Sequence, residues 1–92
     1  MNVQALVARN LRKLRVQRGL SQENLAVDAH IDRTYVSRLE RGLENPTVAI
    51  LEKLAKAMET EIAHFFTRPA AGEKTPQPLP GGRRAKVNKE SR

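Results

Sequence analysis

The chain has 92 residues, enough for one small domain with a modest core and a narrow margin of stability. It has no cysteine, which excludes disulfides and thiolate metal sites, and no apolar run near the ~20 residues of a membrane span. The formal charge of +7 favours polyanionic partners, but residues 1–67 carry a net of +2 and residues 68–92 a net of +5, so most of the excess lies outside the helical part.

The N-terminus lacks the basic-then-apolar pattern of a signal peptide, so a cytoplasmic protein is expected. The first predicted helix runs from about Val3 to Arg18. Val3, Val7, Leu11 and Leu14 fall on one face at spacings of four, four and three. Gly19 ends it, and Arg15 and Arg18 in the last turn suit the negative end of the helix dipole. Ser21 caps a short second helix that fades near Asp28, with Leu25 and Ala26 inward. Ala29-His30-Ile31 forms a three-residue connection, and Asp32 caps a third helix, Arg33 to Arg41.

At about 100° per residue, Val36, Leu39 and Glu40 share one face of that third helix. Thr34, Ser37, Arg38 and Arg41 share the opposite one, and Arg33 projects from the first turn. Gly42 closes the helix and Leu43-Glu44-Asn45-Pro46 turns the chain. Thr47 caps a fourth helix to about Met58, with Val48, Leu51, Leu54, Ala55 and Met58 inward. A last short helix, Ile62 to Phe66, carries both phenylalanines. The prediction is an all-α, compact five-helix bundle.

The composition breaks near Arg68. The remaining stretch holds four of the five prolines and three of the five glycines and has no helical or strand period. The chain therefore divides into a helical domain, 1–67, and a basic disordered tail, 68–92. The tail is either a source of non-specific phosphate attraction or simply a solvated extension.

Two short helices joined by a three-residue turn have the layout of a helix-turn-helix, whose second helix enters a DNA major groove. That geometry needs a small residue where the helices cross, which Ala26 supplies. It needs an apolar residue in the turn, which Ile31 supplies. The second helix needs an apolar inner face, Val36 and Leu39, and a polar outer face, Arg33, Thr34, Ser37 and Arg38.

The segment LSQENLAVDAHIDRTYVSRLERGLENPTVAILEKLAKAMETEIAHFF, preceded by LRKLRVQRG, resembles the Cro/phage-repressor type of helix-turn-helix, the XRE family, over about residues 5–66. Its IDRTYVSRLERG stretch is similar to that of restriction–modification controller proteins. The resemblance implies the lambda-repressor-like fold, with the second and third helices forming the motif. It implies base reading by Arg33, Thr34 and Arg38, with Ser37 beside them. It implies a phosphate contact at Gln22, backbone contacts at Arg41 and Asn45, and a structural ion pair between Arg15 and Glu40. Physical chemistry agrees with these roles. Arg33 and Arg38 can each donate two hydrogen bonds to guanine O6 and N7, and Glu40 on an inner face needs a cationic partner. Tyr35, on the flank, either touches a phosphate or a base or packs against the second helix. The family commonly has glycine where His30 stands.

No catalytic constellation, metal-ligand spacing, phosphate loop or cofactor motif is present, so neither an enzyme nor a cofactor is expected. Three aromatic residues are too few for single-stranded nucleic-acid platforms. The resemblance implies a homodimer on a pseudo-palindromic operator in double-stranded DNA, with Ile62, Phe65 and Phe66 the expected interface. A repressor or activator leads. An antitoxin whose tail binds a protein partner, and a non-specific nucleoid protein, are the alternatives.

Overall fold

The computed structural model describes residues 2–70. These form α1 (Val3–Gln17), α2 (Gln22–Ala29), α3 (Arg33–Glu40) and α4 (Val48–Ala57), followed by a 3-10 helix, Ile62–Phe66. The all-helical fold agrees with expectation. The element count differs, because the fifth segment is a tight 3-10 turn, too short to gain a second α-helical turn. Of the tail predicted over 68–92, all but residues 68–70 lies outside the described residues.

Side-chain caps open all four α-helices. Asn2, Ser21 and Thr47 accept from the backbone N–H groups of Ala5, Asn24 and Ile50, and Asp32 accepts from those of Thr34 and Tyr35. Each cap satisfies donors that the first helical turn leaves free. Ser21 accepts from Asn24 N–H at 2.9 Å.

The four helices also end alike, with a left-handed residue and paired six-to-one and five-to-two backbone bonds. Gly19 and Gly42 supply two of those positions, at φ 71° and 74°. His30 and Glu59 supply the others, at φ 58° and 55°. At the end of α2, His30 N–H donates to Val27 O (3.2 Å) and Ile31 N–H to Ala26 O (2.9 Å). His30 thus adopts the left-handed conformation that glycine reaches at least cost, and the turn is formed without a glycine.

One core joins the elements: Val7 and Leu11 from α1, Leu25, Ala26 and Ala29 from α2, Val36 and Leu39 from α3, Leu51, Leu54, Ala55 and Met58 from α4, and Phe65. Two predicted inward residues are not part of it. Val3 and Val48, at the first residues of α1 and α4, are 59% and 73% exposed. Periodicity assigns a stripe along a helix but not how far its neighbours cover that stripe. Two polar groups fasten the ends of the bundle. Buried Asn10 donates through Nδ2 to Phe65 O and Thr67 O, both at 2.8 Å. Arg18 donates to Met58 O (2.5 Å) and Glu59 O (3.1 Å) at the end of α4.

Candidate nucleic-acid interface

Helix α3 is two-sided, as the helical wheel predicts. Val36, Leu39 and Glu40 are buried at 0%, 2% and 6% exposure. On the other side Arg33 and Thr34 are exposed and Ser37 and Arg38 half-buried. Residues 33 and 37, 34 and 37, and 34 and 38 stand three or four apart, so the four side chains form one contiguous polar surface. The Asp32 carboxylate anchors its leading edge, accepting from Thr34 N at 2.9 Å and Tyr35 N at 3.3 Å.

The inner side rests on an ion pair. Arg15 Nε donates to Glu40 Oε2 at 2.5 Å and Nη2 to Oε1 at 2.9 Å, a two-pronged contact. The side chains are 5% and 0% exposed. Arg15 Nη1 also donates to Leu20 O (2.8 Å), which ties the α1–α2 turn to the same pair. Glu40 gathers two further donors, Gln22 Nε2 at 3.1 Å and Arg12 Nε at 3.4 Å. Arg15–Glu40 is thus the buried structural pair that the resemblance implied. Sequence reasoning missed Arg12 and treated Gln22 only as a DNA contact. The Gln22–Glu40 bond fixes the orientation of the Gln22 amide at the start of α2 and leaves its second Nε2–H to donate and its carbonyl oxygen to accept.

Other predicted residues separate. Arg41 and Asn45 are exposed. Tyr35 is half-buried and packs against the core. Desolvation, and then the charge of Glu44, raise its pKa above the ordinary 10.0, so the phenol remains a neutral hydrogen-bonding group. Arg38 Nε donates to Glu44 Oε2 at 2.7 Å, a pair the sequence reading did not anticipate. Residue 44 lies beyond the Gly42 reversal, where helical spacing no longer predicts neighbours.

Of the three expected interface residues, Phe65 is fully buried in the core of the chain and has no surface to offer a partner. Ile62 is half-buried, and Phe66 is 42% exposed. Phe66 instead lines an open groove of about 360 Å³ with Val3, Gln4, Val7, Asn45, Pro46 and other residues at the start of α1 and in α4. Among the described residues, no group of three or more His, Cys, Asp or Glu could hold a metal ion, and no helix is long and apolar enough to cross a membrane.

The helix-turn-helix family HTH_3 matches residues 11–65. The control protein C.SmaI of Serratia marcescens is 38% identical over 68 residues, covering 74% of this chain and 81% of that protein. The crystal structure of the restriction–modification controller C.AhdI from Aeromonas hydrophila superposes with a TM-score of 0.67 at 40% identity, covering 68% of this chain and 96% of that one. The controller C.Esp1396I, solved as a tetramer with its natural 35-base-pair operator, gives a TM-score of 0.66 at 35% identity over 72% of this chain and 87% of its own. Solved variants of that controller carry single substitutions at an arginine, a threonine and a tyrosine in successive positions.

Proposed function

This chain belongs to the XRE-type helix-turn-helix family of DNA-binding transcriptional regulators, and we propose that it reads a pseudo-palindromic operator as a homodimer, with α3 in the major groove. The observation that carries the proposal is the two-sided α3, packed inward on Val36, Leu39 and Glu40 and presenting Arg33, Thr34, Ser37 and Arg38 outward. Arg33 and Arg38 read guanines, and Thr34 and Ser37 bond bases or phosphates, the threonine methyl also meeting a thymine methyl. Gln22, Tyr35, Arg41 and Asn45 hold phosphates around that helix. This chain has a single Arg-Thr-Tyr run, at 33–35, and the operator-binding controller has been altered at three successive residues of those types. That coincidence supports the assignment of the leading edge of α3.

The partner in the dimer is a second copy. Exposed Val3 and Phe66 line this groove with Asn45 and Pro46, and exposed Leu43 and Val48 flank that Asn45-Pro46 segment along the chain. Ile62 and Phe66 belong to this interface, while Phe65 supports it from the core. Residues 1–67 are the DNA-reading domain, and the basic residues of 68–92 add attraction to phosphates without sequence preference.

The experiment is selection of duplexes from a randomised pool, followed by affinity measurements on the selected and scrambled sequences. Arg33→Ala and Arg38→Ala each lose about 1–3 kcal/mol, confined to particular base pairs. Equal losses on selected and scrambled DNA would overturn sequence-specific reading.

A further inference from the structure

Arg38 is not a freely waving side chain. Its Nε donates to Glu44 at 2.7 Å, and the two side chains are 43% and 28% exposed, so part of each is already withdrawn from water. The loop that carries Glu44 is itself fastened. Leu43 N–H donates to Arg38 O at 2.9 Å, closing the helix end. Gln4, from the first turn of α1, donates through Nε2 to Gly42 O at 3.1 Å and Glu44 O at 2.8 Å. The carboxylate is thus supported from α1 through the backbone of the turn, and the arginine from α3. Glu44 also lies near enough to Tyr35 for its charge to act on the phenol.

We propose that Glu44 is a specificity-determining positioning residue, whose carboxylate holds Arg38 by Nε and presents its two terminal amines as the fork that reads a guanine. The inference rests on the proposed role of Arg38 in base reading. A guanidinium has five donors in a rigid plane and can approach a base with its side edge, Nε and one amine, or with its end, both amines. With Nε bonded to Glu44, the end is the free pair. Holding the plane before DNA arrives removes rotamer freedom that binding would otherwise have to remove. The carboxylate acts a second way. A negative charge beside the reading helix repels phosphates wherever the protein lands, and this is offset only where Arg38 finds its guanine. Both effects widen the gap between operator and other DNA without requiring Glu44 to touch a base.

The test is a double-mutant cycle on the full chain, using the duplex enriched by the wild-type protein and a scrambled duplex of the same composition. Glu44→Ala is expected to lower the ratio of the two affinities about fivefold or more, by weakening operator binding while scrambled binding holds or rises. Glu44→Gln, which keeps an acceptor for Nε but not the charge, falls between. In an Arg38→Ala background, Glu44→Ala leaves the ratio within about twofold. An unchanged urea midpoint for Glu44→Ala separates this from loss of fold. An unchanged ratio would overturn the inference, as would an operator affinity that rises in step with scrambled binding, since Glu44 would then be only a competitor. If Arg38→Ala itself leaves the ratio intact, base reading by Arg38 fails first and takes the inference with it.

Discussion

Removing the Glu40 carboxylate tests the energetic centre of the domain. In Glu40→Ala, Arg15 keeps its charge in a position where its side chain is 5% exposed, with Leu20 O still accepting from Nη1 but both carboxylate bonds gone. Arg12 and Gln22 also lose an acceptor, but both are half-exposed and rehydrate. The cost is therefore set by the stranded Arg15, about 3–5 kcal/mol for one half of a buried pair. A domain of this size holds only ~3–10 kcal/mol in total. The variant should sit at the edge of folding, with its melting temperature lowered on the order of 10–40 °C. The Arg15→Met/Glu40→Leu double variant removes both charges and should recover most of that loss, because an apolar pair of similar volume costs no desolvation. Urea unfolding followed by far-ultraviolet circular dichroism measures all three. A loss below ~1 kcal/mol for Glu40→Ala would refute the reasoning, because the pair would then behave as a solvated one. A double variant as unstable as the single would refute it too.

Other outcomes follow from individual residues. The chain has one tyrosine and no tryptophan, so ultraviolet titration reports Tyr35 alone. Its midpoint should exceed 10.0, and Glu44→Gln should lower it without restoring 10.0, since desolvation is the larger cause. The folded state holds that phenolic proton more tightly than the unfolded chain, so the associated stability is complete below about pH 10 and lost as pH rises through the folded pKa; Tyr35→Phe should not show this loss. His30→Gly should raise stability by about 0.5–1 kcal/mol in urea unfolding, since glycine adopts the left-handed turn without a Cβ clash. A lower stability would mean that the His30 side chain contributes to the fold. Val48→Asp should shift the chain from dimer to monomer in sedimentation while the monomer keeps its helicity, because residue 48 is 73% exposed in the single chain. An unchanged dimer would move the interface elsewhere.

Much of the site was legible in the chain because the signals are local. Asp32 precedes a helical period, and a cap there must face the first-turn N–H groups of α3. The inner and outer faces of α3 follow from 3.6 residues per turn, and Glu40 on the inner face demanded a cation, which the resemblance placed at Arg15. The limits are equally physical. Phe65 and Phe66 are adjacent and chemically identical, and only the packing of the 3-10 turn sends one into the core and the other to the surface. Val48 has the spacing of a core residue, yet among the described residues it stays 73% exposed at the first residue of α4, while Leu51 in the same turn is buried.

The sequence alone determined an all-helical domain over the described residues, its helix starts and ends, and a third helix with one apolar and one cationic edge, because caps, glycines and helical periods act over a few residues. Tertiary structure decided the relations between segments distant along the chain. It brought Arg12 and Gln22 onto the same carboxylate as Arg15, seated Gln4 beneath the turn after α3, and fixed Glu44 against Arg38. Those contacts span reversals of the chain, where neighbours are chosen by how the whole core packs rather than by local period.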